Sequence, residues 1–323
     1  MIRLAAELLV ILLSAKLFGA LAKRLRQPAV LGELIGGVVL GTGLFAFFHP
    51  DDPALAVISK IGVILLLFET GLHSDLARLL NAGPTASAVA AIGVVTPFAL
   101  GWGLMTALGK PAMESVFVGA ALTATSVGIT ARVLSDMDKL ERPEAQIILG
   151  AAVIDDVFGI AILAAVQSVA ASGSPHGDGA LGAMMVSLAF IAGILLARAG
   201  KTKAVDKNIR PIAAVVVPIF FVMIGAKMNL ASVVETRATL GLAVLLTLAA
   251  VAGKLVSALA VRGRGLNRWA VGFGMIPRGE VGLIFAQIGL ASGIIEPPLY
   301  AALIAMAIAT TFLAPPLLKR TLG

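Results

Sequence analysis

Eleven stretches of about 20 apolar residues account for most of this 323-residue chain, at roughly 4–22, 29–48, 54–72, 85–108, 113–135, 145–171, 179–198, 210–227, 238–261, 268–292 and 296–317. That recurrence decides the fold class. A backbone in lipid must satisfy its own N–H and C=O groups, which apolar runs of this length do as helices. An all-α, polytopic membrane protein with about 11 transmembrane helices is therefore expected. The composition agrees: 59% of the residues are hydrophobic and 13% are charged, against about 25% charged in soluble domains. The mean hydropathy is +1.01.

The formal charge of +7 does not point to nucleic acid. The basic residues fall in short clusters between apolar runs, and one Tyr and two Trp offer no stacking platform. Zero Cys removes disulfides and thiol chemistry. His49, His73 and His176 have no metal-ligand spacing and are expected in loops. The sequence contains no nucleophile–base set, metal cluster or phosphate loop, so an enzyme is not expected, and no cofactor is implied.

Charge placement sets an orientation. Ala20-Leu-Ala22 resembles a signal-cleavage site, but Lys23, Arg24 and Arg26 follow at once and mark a retained helix. Lys/Arg residues cluster after runs 1, 5, 7 and 9, with Arg78 after run 3, while the loops after runs 2, 6 and 10 carry almost none. The N-terminus is accordingly expected outside and Lys319/Arg320 in the cytoplasm of an inner (plasma) membrane. No appended cytoplasmic domain is expected.

The chain also repeats itself at an offset of 154 residues. Gly71-Leu72 and the residues up to Ala77 parallel Gly225-Ala226 and the residues up to Ala231, and Ser126-Val-Gly-Ile129 parallels Glu280-Val-Gly-Leu283. Copies five spans apart enter the membrane in opposite directions, a signature of secondary transporters.

Within this framework a few polar residues stand out. Asp155 and Asp156 lie in the middle of Ile147–Val166, an otherwise apolar run. Each costs roughly 2.5–3.5 kcal/mol at the centre of a spanning helix. Neighbours on a helix point about 100° apart, so one carboxylate can face an ion path and the other a fixed partner. Lys254 lies eight residues from Arg262, about 12 Å along a helix and beyond the reach of its own stem. It is expected to be buried, with an aspartate of the pair as its counter-ion.

Thr123-Ala-Thr-Ser-Val-Gly-Ile-Thr130 and Pro277-Arg-Gly-Glu-Val-Gly282 interrupt runs 5 and 10 at corresponding places. Both are expected to break their helices in mid-membrane, where half-helix ends hold charges and cations. Arg278 and Glu280 are read as structural charges at this crossing, neutralising one another or their neighbours. Glu33 and Glu69 are read as solvated interfacial residues, and the Ser/Gly/Pro-rich stretch from Ala171 to Gly179 as a connector.

Leu65-Leu-Leu-Phe-Glu-Thr-Gly-Leu72, Ala124-Thr-Ser-Val-Gly-Ile-Thr-Ala-Arg132, Gly150-Ala-Ala-Val-Ile-Asp-Asp-Val157, Gly253-Lys254 and Pro277-Arg-Gly-Glu-Val-Gly-Leu-Ile284 together resemble the monovalent cation/proton antiporter superfamily, in particular the NapA-type sodium/proton antiporters. The resemblance covers nearly the whole chain. It implies a homodimer embedded in lipid, with a mobile core sliding against a scaffold. Scaffold helices would lie at about 1–72 and 210–227, core helices at about 85–171 and 238–317, and a linker helix at about 179–198. It also implies that Asp156 binds the transported Na⁺ and that Asp155 pairs with Lys254. Oxygens of Thr125 and Ser126 are expected to complete the cation shell. Lys254 with Asp155 would couple protons, giving Na⁺ or Li⁺ exchange with more than one proton per cation. Related Kef-type potassium systems usually lack the first acidic residue and the lysine, so K⁺/H⁺ exchange is the alternative.

One departure is large. The family typically has thirteen spans, and the equivalents of runs 1 and 2 in the second repeat are absent here. The charged stretch from Ala199 to Ile209 is read as a short loop in their place. A transport-incompetent shortened homologue is the second alternative.

Overall fold

The computed structural model describes residues 2–25, 27–43, 52–73, 83–172, 178–228, 237–263 and 265–322. Its elements among the described residues are helical, and seven of those helices are long and apolar enough to cross a membrane. In chain order the helices are α1 (Ile2–Arg24), α2 (Ala29–Val38, followed by a kink at Gly41), α3 (Pro53–His73), α4 (Gly83–Ala107), α5 (Ala112–Ala121) and α6 (Val127–Asp136). They continue as α7 (Pro143–Ser172), α8 (Asp178–Arg198), α9 (Thr202–Ala226), α10 (Arg237–Val256), α11 (Arg268–Gly274), α12 (Glu280–Ala291) and α13 (Pro297–Leu322).

The chain forms two compact units, one of Met1–Ser74 with Ala180–Thr236 and one of Asp75–Gly179 with Arg237–Gly323. In the first, α9 packs on α1, α2 and α3. Its core contains Ile11, Ala15, Leu55, Ile219, Val222 and Met223. The backbones of α2 and α9 nearly touch. A Cβ on Gly37 would sit 2.0 Å from the carbonyl oxygen of Val222, and one on Gly225 2.0 Å from that of Leu34. Glycines of this kind allow close helix approach where lipid gives no hydrophobic drive to associate. On the outer side of α1, Leu9, Leu13, Leu17 and Leu21 recur every fourth residue and are at least half exposed, as a lipid-facing stripe requires.

Three expectations change in this unit. Glu33 is not a solvated end residue: it is buried in α2, facing Gly19 of α1 across the helix pair. The stretch after α8 is not a loop up to Ile209. Only Ala199–Lys201 lies between helices, and α9 begins at Thr202, its first turns charged and carrying an Asp206–Arg210 pair at 3.8 Å. A helix leaving the membrane need not end where its apolar run ends. His73 closes α3 rather than lying in a loop, while His49 and His176 fall outside the described residues.

The second unit holds the two interrupted runs. Its core is built from Val89, Ala90, Leu134, Ile148, Ala152, Val271, Met275 and Leu318. The internal offset is visible in the elements themselves. α4 and α10 start at Gly83 and Arg237, and α7 and α13 at Pro143 and Pro297, each pair 154 residues apart. The breaks correspond as well: α5 ends at Ala121 and α6 starts at Val127, while α11 ends at Gly274 and α12 starts at Glu280. Pro277 has no N–H to donate and disfavours helix in the residue before it. Ser126 is extended at φ −86°, ψ 104°. A Cβ on Gly279 would lie 2.4 Å from Cβ and Oγ of Ser126, so the second break approaches the first this closely only as glycine.

Candidate functional site

The two breaks cross. The backbone N–H of Ser126 donates to the carbonyl of Pro277 at 2.8 Å, and Thr130 Oγ1 donates to the carbonyl of Gly274 at 2.7 Å. Helix ends leave carbonyls without intrahelical partners, and in an apolar interior each must find a donor. Arg278 supplies one, to the first break, and braces the interior of α10 with a second. Its side chain is 2% exposed; Nη1 donates to the carbonyl of Ala124 at 2.5 Å and Nη2 to that of Ala250 at 3.0 Å. Its own carbonyl accepts from Thr311 Oγ1 at 3.0 Å. Arg278 thus ties the first break, α10 and α13 together. The side chain of Glu280, expected to share this neutralising role, lies outside the described residues.

Asp155, on α7, faces the crossing and is 1% exposed. Lys254 Nζ lies 2.5 Å from its Oδ2, both side chains being fully buried. Two small-residue contacts make room for the lysine. A Cβ on Gly93 would lie 3.4 Å from Nζ, and one on Gly253 2.7 Å from Pro97 Cα, so α4 and α10 meet backbone to backbone beside it. Snorkelling is thereby excluded.

Thr125 Oγ1 donates to the same Asp155 Oδ2 at 2.7 Å and lies 3.3 Å from the carbonyl of Met275. A hydroxyl has one hydrogen, so Thr125 holds either the carboxylate or the end of α11. Asp155 Oδ1 is buried and accepts no hydrogen bond among the described residues. Asp156 points to a different side of α7 and is only partly buried. Ser126 is fully buried in the first break. The structure therefore joins Thr125, Asp155 and Lys254 directly. Arg278 and Ser126 belong to the surrounding crossing, and Asp156 is the next residue of α7.

Two cations and two carboxylates offset one another here. A buried charge is tolerable only with such compensation, and removing one member of a buried pair costs roughly 3–5 kcal/mol. Sequence reasoning missed Thr130 and Thr311, whose hydroxyls have meaning only once the carbonyls they meet are placed. Among the described residues no three His, Cys, Asp or Glu side chains gather as a metal site.

The sequence model of the family described as "Sodium/hydrogen exchanger, transmembrane" matches residues 9–189 and 180–322. The chain belongs to this family. It is 38% identical to the high-affinity Na(+)/H(+) antiporter NhaS3 of Synechocystis sp. (strain ATCC 27184 / PCC 6803 / Kazusa), over 97% of this chain and 88% of that protein. It is 32% identical to the Na(+)/H(+)-K(+) antiporter GerN of Bacillus cereus, over 98% and 96%. Both alignments, 407 and 375 residues long, exceed the 323 residues of this chain, consistent with a shortened member of the family. The fold is similar to that of the sodium proton antiporter MjNhaP1 from Methanocaldococcus jannaschii, with a TM-score of 0.70 and 17% identity over 100% of this chain and 99% of that one.

Proposed function

We propose that this chain exchanges Na⁺ (or Li⁺) for H⁺ across the inner membrane through Asp156, Asp155 and Lys254. The observation that carries the proposal is the fully buried Lys254–Asp155 pair, held at the crossing of two broken helices, with a second carboxylate next to it. The exchange is a competition. Asp156 takes either a proton or a partly dehydrated cation, with oxygens of Thr125, Ser126 and water completing the shell. Arrival of the cation draws Asp155 from Lys254, which then releases its proton. Re-pairing on the other side resets the site.

The unit containing the crossing acts as the moving core and the glycine-packed unit as scaffold, in a homodimer with the N-terminus outside and the C-terminus in the cytoplasm. The relatives' names support Na⁺/H⁺ exchange, and GerN's name keeps K⁺ as a second cargo to test.

The test is Na⁺-induced proton flux in proteoliposomes of the purified chain, with Asp156→Asn as control. Flux that disappears in the variant supports coupled exchange. Substantial flux in Asp156→Asn removes the assignment, and a well-folded parent without flux identifies a transport-incompetent shortened homologue. Replacing Na⁺ by Li⁺ or K⁺ in the same assay ranks the cargo.

A further inference from the structure

Glu144 opens α7, and its position is explained neither by the ion pair nor by the crossing. Its side chain is 3% exposed, and Oε1 accepts the backbone N–H of Asn267 at 3.0 Å. Asn267 is the N-cap of α11. Its Oδ1 accepts from the backbone N–H groups of Trp269 and Ala270 at 3.1 and 3.2 Å, and its Nδ2 donates to the carbonyl of Thr321 near the end of α13 at 2.9 Å. One carboxylate thus fixes the start of α11 to α7, while the cap fixes it to α13.

The other end of α11 is held as well. Glu144 and Asp155 are eleven residues apart, which returns to within about 20° of the same side of a helix, about 16 Å further along. Asn267 to Met275 spans about 12 Å, and a Cβ on Gly274 would come within 2.5 Å of Ile148 Cδ1 on α7. α11 therefore lies along one face of α7. Glu144 grips its N-cap residue, and Thr130 Oγ1, on α6, holds the carbonyl of Gly274 at its end. A helix of seven residues has too few internal hydrogen bonds to hold its own position. Its register against Asp155 is set by the two ends.

We infer that Glu144 is a positioning residue for the cation site, clamping half-helix α11 so that its C-terminal carbonyls stay in register with Thr125 and Asp155. The inference rests on the antiporter reading for its transport arm only. A side chain of this length suits the role because it reaches from the first turn of α7 to the backbone N–H of Asn267.

The experiment compares Glu144→Leu and Glu144→Gln with the parent, measuring Na⁺-dependent proton flux in proteoliposomes and amide hydrogen exchange of residues 268–275. Support around an ion ligand typically changes cation affinity by about 10–100-fold when lost. Glu144→Leu should raise the apparent KM for Na⁺ by about tenfold, with the maximal rate changed far less, and speed amide exchange in α11. Glu144→Gln keeps an acceptor oxygen and should stay within about threefold of the parent in KM, by the same reasoning. Parental KM and amide exchange in Glu144→Leu overturn the inference, as does a Glu144→Gln variant as impaired as Glu144→Leu. If the parent carries no Na⁺, the antiporter reading fails while the amide-exchange arm still decides the clamp. Should Glu144→Leu not fold, Glu144→Ser, too short to reach Asn267, replaces it in both arms.

Discussion

Ser126 and Pro277 are joined through their backbones, N–H to carbonyl at 2.8 Å, at the point where two interrupted helices pass each other. Proline, which cannot donate, serves here as acceptor, and the donor is the residue that precedes the next half-helix. The chain thereby spends its irregular backbone only where it is enclosed by protein, as a membrane interior demands. How tightly this crossing is built sets what substitution should do.

Gly279→Ala places a methyl 2.4 Å from the Ser126 side chain. The breaks must separate, at a cost of about 1–3 kcal/mol for overpacking. A lower thermal midpoint in detergent and weaker Na⁺-dependent flux are expected together. An unchanged midpoint would show that the crossing yields freely.

Lys254→Gln leaves Asp155 as a buried carboxylate without its counter-charge, a loss of about 3–5 kcal/mol. The double variant Asp155→Asn/Lys254→Gln should recover much of the stability in a thermal melt. In transport, Lys254→Gln should change proton stoichiometry more than Na⁺ affinity. Unaltered voltage dependence of flux in this variant counts against lysine as the proton carrier.

Arg278→Lys keeps the charge and loses the fork. One ammonium does not reach the carbonyls of both Ala124 and Ala250 as two guanidinium nitrogens do. A lysine that loses the Ala124 carbonyl leaves a buried acceptor alone, at about 1–3 kcal/mol, so the variant should melt earlier than the parent, and Arg278→Gln earlier still. Equal midpoints for all three proteins would refute the bridging role.

Thr125→Val preserves shape and removes the hydrogen bond to Asp155, whereas Thr125→Ser preserves the bond. The first should raise the apparent KM for Na⁺ by about tenfold or more, as loss of a group supporting an ion ligand does. The second should stay near the parent. A Val variant with parental KM would remove Thr125 from the site.

Much of this was legible in the residues because lipid leaves few choices. Pro277 and the hydroxyl-rich Thr123–Ser126 stretch announce breaks, since each weakens a helix in a run that is otherwise uniformly apolar. Lys254 reads as buried because its stem is shorter than its distance to the boundary. Other features had no such constraint. Glu33 lies near the end of an apolar run, where a solvated and a buried carboxylate look alike; only the placement of α1 against α2 distinguishes them. The extra turns of α9 are charged and outside the apolar window, so hydropathy is blind to them. Glu144, Asn267 and Thr321 are ordinary in sequence, and their meaning comes from three helix ends meeting in one place.

The 154-residue offset, followed position by position, shows how unevenly the two copies are equipped. Asp155 and Asp156 correspond to Ala309 and Thr310, and Lys254 corresponds to Leu100. Ala124 and Arg278, themselves 154 residues apart, are bonded to each other, so the two copies meet at matching positions. The scaffolding of the crossing has been doubled while its charges have not: the acid comes from the first half, the base from the second, and their counterparts are uncharged. A duplicated fold could have carried two ion pairs. This one assembles a single pair across its own symmetry, and neither half alone contains both of the groups it needs.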